Sequence, residues 1–380
     1  MRHGEAFSNP RLGQRLLEAI GREAACSRGS CPREYFLMEF CGGHTHALCR
    51  HGIAPLLPPN VHMVHGPGCP VCVLPPGRIN QALALLAAHP VVLCSFGDLG
   101  RVPGSGGQSL LHARAQGADV RMVLGPGQAL QLAEALPQRE VVFFAVGFET
   151  TAPPTALVLR EARRKGLRNL SVLCNHVRTP PAMQAVLQAF QTQPGALRLD
   201  GVVAPGHVST VTGTAPFEAV SKEFGLPVCI AGFEVLDVLE AIWRLLRQLN
   251  RGEARCENAY ARAVLPEGNL VAQRVMQEAF EVAPSFEWRG LGPLPESAFR
   301  IAQGYAAWDA QAKWQLPYTA AADHPGCCCG LVLRGQKKPP ECALFAKACT
   351  PDAPLGACMV SPEGACAAYY AMRTLGGPSR

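Results

Sequence analysis

The chain has 380 residues, 48% hydrophobic and 17% charged, with a formal net charge of +6. That length exceeds one ordinary hydrophobic core and predicts two or three domains. The mild charge is not gathered into a Lys/Arg block, which argues against nucleic-acid binding, and no long polar tract points to disorder. The start of the chain has no apolar run closing on a small-residue cleavage site. The best membrane candidate, residues 82–94, is broken by His89 and Pro90. A soluble, cytoplasmic protein without membrane contact is expected.

From residue 34 to 250 one theme repeats: a short apolar run, a Gly, Pro or polar stop, then a helical pattern. The runs are 35–40, 61–65, 91–96, 120–124, 141–146, 170–175, 201–204 and 227–231. Helical stretches are expected at 78–88, 107–116, 127–136, 154–165, 181–191, 216–224 and 235–249. This alternation predicts an α/β fold with parallel sheets, and the near-continuous Val, Leu and Phe predict strands buried on both faces. Gly147-Phe148-Glu149 is echoed by Gly232-Phe233-Glu234, each after an apolar run. Two α/β domains of Rossmann-like or thioredoxin-like layering are expected, at 30–140 and 141–250. After about residue 255 the periodicity weakens and Pro, Gly and Cys become dense. Residues 1–29 and 251–380 are therefore assigned to a small cysteine-rich iron–sulfur domain, with its cluster at 327–366.

Ligands of open parallel sheets bind beyond the carboxyl ends of the strands. In this chain those ends carry Cys41, Cys69 and Cys72, Asp98, Glu149, His176, His207 and Glu234. Cys41 stands in Cys41-Gly42-Gly43-His44-Thr45-His46, between a strand and a helix. A helix N-terminus favours the thiolate, a soft ligand for iron, zinc or copper, and His44 or His46 could take its proton. Cys69-Pro70-Val71-Cys72 has the spacing of thioredoxin-like redox pairs; zinc would need a second pair. Glu149, Thr150 and Thr151 offer proton-handling groups or an ordinary helix cap, with little to choose between them. Asp98 is equally open, and His176 and His207 fit satisfied loop histidines slightly better.

Cysteine occurs 17 times, an odd number in a chain without an export signal, so metal or redox chemistry is a better reading than a disulfide framework. Residues 325–366 hold Cys327, Cys328, Cys329, Cys342, Cys349, Cys358 and Cys366. Counted from Cys327 and ending at Cys366, they give C-x14-C-x6-C-x16-C. Four thiolates suit a [4Fe–4S] cluster or zinc, and the wide spacing, unlike a zinc ribbon's paired Cys-x-x-Cys, favours iron–sulfur. No G-x-G-x-x-G follows a strand, so nothing supports hydride transfer.

With these residues in place, the chain resembles the HypD family of hydrogenase maturation proteins. The stretches that carry the resemblance are MEFCGGHTH (38–46), HGPGCPVC (65–72), FGDLGRVPGS (96–105), GFETTAP (147–153), APGHVST (204–210) and CTPDAPLGACMVSPEGACAAYY (349–370). The resemblance implies two α/β domains and a third carrying a [4Fe–4S] cluster. It also implies assembly of the Fe(CN)2CO unit of [NiFe] hydrogenase, with a HypC-type small chaperone and a HypE-type cyanide donor. Cys41 is then the ligand of the transient iron unit, Cys69 and Cys72 the redox pair, and Cys327, Cys342, Cys349 and Cys366 the cluster ligands. Three successive cysteines at 327–329 stand where a Cys-x-Cys is expected, which leaves Cys329 open as the first ligand. Cys26, Cys31, Cys49, Cys94, Cys174, Cys229 and Cys256 lie outside these motifs and read as small hydrophobes or incidental thiols.

On this reading the iron sits on Cys41, the cluster and the dithiol relay electrons, and His44, Glu149 and Thr150 orient ligands or manage protons. Two rivals use the same residues: a stand-alone thiol–disulfide or iron–sulfur oxidoreductase, and a zinc-stabilised scaffold.

Overall fold

The computed structural model describes residues 9–26, 33–192 and 198–374. All eight apolar runs form strands: β1 (Tyr35–Glu39), β2 (Val61–His65), β3 (Val92–Ser95), β4 (Val120–Met122), β5 (Val141–Gly147), β6 (Leu170–His176), β7 (Gly201–Pro205) and β8 (Val228–Ala231). A short β9 (Cys256–Asn258) adds an edge that the sequence pattern did not announce. All pairings among these strands are parallel, as expected. β5 is buried along its whole length, the reason its sequence reads as an unbroken apolar run.

The strands build two sheets, ordered β2-β1-β7-β8-β9 and β4-β3-β5-β6. This differs from the expected division at residue 140. The chain leaves the first sheet after β2, builds the whole second sheet, then returns at β7 beside β1. Neither 30–140 nor 141–250 corresponds to one sheet. All the runs share the same character, so nothing in their pattern says which of them share a sheet; the expectation rested on sequential strands being neighbours, which is only a majority rule.

Helix Val235–Arg251 shows how a local pattern serves the fold. Leu236, Leu239, Ile242, Leu245 and Leu246 recur at helical spacing and are buried. Glu234 and Asp237 form a reciprocal capping box at its start, and Gly252 ends it in the left-handed region at φ 69°. Each fully buried leucine contributes roughly 2 kcal/mol by transfer from water. Helix Pro10–Ala25 packs on this helix, and its Ile20 and Ala24 join the core of the first sheet.

The third unit is smaller than expected. Helix Pro10–Ala25 belongs to the first sheet, because its apolar side has Leu245 and its neighbours to cover; residues 1–8 and 27–32, with Cys31, lie outside the described residues. After β9, helix Leu270–Ala279 packs on helix Ala152–Lys165 beneath the second sheet. The antiparallel pair β10 (Phe280–Val282) and β13 (Phe299–Ile301) and the hairpin β11 (Ser285–Trp288) and β12 (Gly292–Pro295) follow. Phe280, Ile301, Tyr305 and Trp308 join the core of the second sheet. The cysteine-rich segment proper comes after residue 316 and ends in helix Ala365–Thr374. Among the described residues, no helix is long and apolar enough to cross a membrane.

Candidate functional site

Cys41 caps helix Gly42–Arg50 at the carboxyl end of β1, and Cys69 caps the short helix Pro70–Val73 at the carboxyl end of β2. Because β1 and β2 pair in register, Glu39 opposite His65, the two loops leave the sheet side by side. The Gly42 amide donates to the Gly68 carbonyl at 2.9 Å. A Cβ on Gly68 would collide with the backbone of Phe40 and Cys41, so only glycine allows this approach. Cys69 and Cys72 are joined as a disulfide, and the Cys72 amide also points at Cys69 Sγ, at 3.2 Å. The lone thiol and the redox-spaced pair thus occupy adjoining loops.

The expected thiolate character of Cys41 is reversed. The amides of Gly43 and His44 do favour the anion, but burial, with the carboxylates of Glu363 and Glu39 nearby, pushes the thiol well up. A cation must displace the proton for Cys41 to act as a ligand. Glu363 comes from the cysteine-rich segment; its backbone and Cβ press on Gly42, where no side chain would fit.

A fully buried carboxylate that the sequence reading passed over lies beneath this loop. Glu39 Oε2 accepts the Cys41 amide at 3.0 Å, and Oε1 meets the Thr45 hydroxyl and His65 Nδ1, the latter at 2.8 Å. His65 Nε2 then meets the Tyr369 hydroxyl at 3.1 Å. The signal was present: an acid inside a strand buried on both faces needs a dedicated partner. Nothing local in the sequence marks Tyr369.

His44 is buried, with Nε2 at the carbonyls of Gly232 (3.0 Å) and Ala231 (3.2 Å). Burial lowers its pKa, so the ring is neutral. Phe233, in the second Gly-Phe-Glu turn, lies between two imidazoles: His44 with ring centroids 4.8 Å away and His207 at 3.8 Å, both stacked. The two Gly-Phe-Glu turns follow β5 and β8, one in each sheet, so the sequence echo marks equivalent sheet edges. Partial desolvation of the carboxyl, although Glu363 keeps an exposed face, and then the charge of Asp98, after β3, raise the Glu363 pKa.

Glu149 sits in the equivalent turn after β5 but is committed locally. Its Oε1 accepts the Thr179 amide at 2.8 Å and its Oε2 the Thr179 hydroxyl at 2.9 Å. It thereby caps helix Thr179–Thr192 rather than the helix that follows it in sequence. Burial raises its pKa. Thr150 lies half-buried beside it. No described hydrogen bond joins either residue to Cys41. His176 ends β6, fully buried; its Nε2 meets the Thr155 hydroxyl at 2.9 Å while its Nδ1 has no hydrogen-bond partner among the described residues, so it is not the fully satisfied loop histidine that the sequence favoured.

The cysteine-rich segment brings Cys327, Cys328, Cys329, Cys342, Cys349 and Cys366 around one small cavity with Gly356 and Met359. A Cβ on Gly356 would strike the sulfurs of Cys327 and Cys329. The Cys329 thiol lies within hydrogen-bond reach of Cys327, Cys358 and Cys366; Cys327 and Cys358, with burial, push its pKa well up, while Cys366 works against them. Cys349 Sγ accepts the Leu355 amide at 3.3 Å. Among the described residues, no three His, Cys, Asp or Glu groups converge on the position of a single metal ion. A four-iron cubane takes its thiolates at separate corners, so its ligands need not converge on one point. Of the cysteines outside the motifs, Cys49, Cys94 and Cys229 are buried, Cys174 and Cys256 half-buried, and Cys26 exposed.

Arg289 ties this array to the dithiol. Its amide donates to the Val73 carbonyl at 2.7 Å, while Nε and Nη2 donate to the Leu74 carbonyl at 3.0 and 2.7 Å. Nη1 pairs with Asp323, and Gly290 packs directly on Gly330, next to Cys329. The fold and site therefore define a cysteine-rich α/β protein that sets a lone thiol and a disulfide side by side at the carboxyl edge of one parallel sheet and ties a thiol array to them.

Residues 12–373 match the HypD family, described as the hydrogenase formation hypA family. The chain is 52% identical over 371 residues to hydrogenase maturation factor HypD of Cupriavidus necator, covering 97% of each chain. It is 55% identical over 340 residues to HypD of Rhizobium leguminosarum bv. viciae, covering 89% of this chain and 88% of the relative. HypD of Escherichia coli K12 is 42% identical over 374 residues, at 98% of each chain. The chain belongs to the HypD family.

Proposed function

We propose that the protein acts in hydrogenase maturation in the reducing cytoplasm, assembling the Fe(CN)2CO unit of [NiFe] hydrogenase with a HypC-type chaperone and a HypE-type cyanide donor. The observation that carries this reading is the Gly42–Gly68 hydrogen bond, which sets the Cys41 loop against the Cys69–Cys72 pair. The iron is cargo: Cys41 supplies one thiolate and the chaperone another. The Cys41 proton leaves when the cation binds, because burial and the Glu363 and Glu39 carboxylates disfavour a free thiolate. His44, fixed by its Nε2 at the Ala231 and Gly232 carbonyls, orients ligands at the iron. The Glu149–Thr150 turn frames the equivalent edge of the second sheet, where proton handling is assigned.

Cys327, Cys342, Cys349 and Cys366 would hold a [4Fe–4S] cluster; the all-sulfur donor set and the side-chain-free wall at Gly356 suit it. When bound, the cluster supplies single electrons near the dithiol. Arg289 holds the dithiol helix and the Cys329–Gly330 turn in a fixed relation.

The test is iron and acid-labile sulfide analysis of the anaerobically purified chain, alone and with its chaperone. Iron and sulfide in equal amounts are expected from the chain alone. Further iron without sulfide should appear with the chaperone and vanish in Cys41→Ala. Stoichiometric zinc without sulfide would overturn the cluster assignment.

A further inference from the structure

One polar chain, buried at Glu39 and His65 and half-buried at Tyr369, runs between the cysteine array and the Cys41 loop, and the chemistry proposed above makes no use of its His65 and Tyr369 links. It begins at Tyr369, three positions after Cys366 and so one turn further along helix Ala365–Thr374. The Tyr369 hydroxyl meets His65 Nε2 at 3.1 Å, and the tyrosine ring stands edge-on to the imidazole with centroids 5.3 Å apart. His65 Nδ1 meets Glu39 Oε1 at 2.8 Å, and Glu39 Oε2 accepts the Cys41 amide at 3.0 Å. Glu39 is 0% and His65 7% exposed, so water cannot substitute for a lost partner without the packing opening. The same helix packs along helix Gly42–Arg50, and Glu363 closes over Gly42.

We propose that Tyr369 and His65 are positioning residues that transmit the order of the Cys366 segment to the Cys41 loop through Glu39. The inference deepens the function proposed above and rests on that reading of Cys366 as a cluster ligand. A cysteine array that is not properly closed leaves the last helix free to shift. Tyr369 then lets go of His65, whose ring is no longer fixed against Glu39; Glu39 keeps the Thr45 hydroxyl but is held less firmly, and with it the acceptor of the Cys41 amide. Iron is thereby offered an ordered Cys41 loop only when the cysteine array is in place. Such coupling is reciprocal: ordering the Cys41 loop also favours the closed helix.

The test is amide hydrogen exchange of the full-length chain purified anaerobically, read at Cys41 and, as a reference, at Phe143 in β5. Tyr369→Phe keeps the ring and removes one hydroxyl. It is expected to speed exchange at Cys41 about tenfold, the equivalent of one such hydrogen bond, and to leave Phe143 unchanged. Cys366→Ser should speed exchange at Cys41 in the wild-type background and add little in the Tyr369→Phe background, since both break the same chain. Additive effects, or faster exchange confined to helix Ala365–Thr374, would overturn the proposal. If Cys366→Ser does not fold, Tyr369→Phe alone decides, through Cys41 against Phe143. Loss of chaperone-dependent iron with these couplings intact would sink the assembly function and leave the coupling standing.

Discussion

The guanidinium of Arg289 donates twice to the carbonyl of Leu74, at 3.0 and 2.7 Å, across more than two hundred residues of chain. The Leu74 carbonyl follows the dithiol helix, and the turn after Arg289 rests on Gly330 beside Cys329. A buried cation that holds the carbonyl after the dithiol helix and pairs with Asp323, beside a Gly290 that packs on Gly330, ties the two segments in a way that apolar packing alone would not.

Arg289→Gln is accordingly expected to destabilise the protein by about 3 kcal/mol, because it leaves the Leu74 carbonyl and Asp323 without their fork of donors while the backbone bond to Val73 remains. Arg289→Lys should recover little, since one ammonium cannot reach Leu74 and Asp323 in the same planar geometry. Urea unfolding measures both; full rescue by lysine would show that charge alone is what the site needs.

Gly68 carries the approach of the two thiol loops. Gly68→Ala places a Cβ against the backbone of Phe40 and Cys41, which cannot yield as a side-chain tip could, and about 3 kcal/mol of stability should be lost. Gly97→Ala is the control: no atom lies within 4 Å of its added Cβ. Thermal unfolding of the two variants should differ clearly. Equal behaviour would mean that the loops can part without penalty.

Burial lowers the pKa of His176 to about 4 from the usual 6.5. A base whose folded pKa is depressed binds its proton more readily when unfolded. Its contribution is therefore complete above pH 6.5 and lost as pH falls toward 4, by on the order of 3 kcal/mol in all. His176→Asn removes this titration, so the stability gap between wild type and variant should narrow as pH falls through that window. A gap that stays constant in urea unfolding from pH 7 to about 4.5 would contradict the buried neutral state.

Much of this architecture can be read from residue order. The eight core strands were legible because strands buried on both faces cannot afford polar interruptions, and their reactive residues had to fall at the carboxyl edge. Sheet membership was not legible: β2 and β3 have the same character, yet belong to different sheets. Cys41, the Cys69–Cys72 pair and the cysteine array were recognisable from spacing. Glu149 was visible as a group but not as the cap of a helix thirty residues away, because only the β5–β6 pairing brings Thr179 to it. The same limit hid His65 and Tyr369, whose meaning comes from a contact spanning 304 positions. The thiolate expectation for Cys41 failed because the terminus of a nine-residue helix competes with burial and two nearby carboxylates, neither of which local sequence discloses.

The central claim is that Cys41 holds the iron on which cyanide and carbonyl ligands are placed. Infrared spectroscopy of the anaerobically purified complex of this chain with its HypC-type chaperone reads those ligands directly. Cyanide and carbonyl stretches are expected from wild type and should be lost in Cys41→Ala, while the iron–sulfur absorbance is kept. Undiminished stretches in Cys41→Ala would contradict the account.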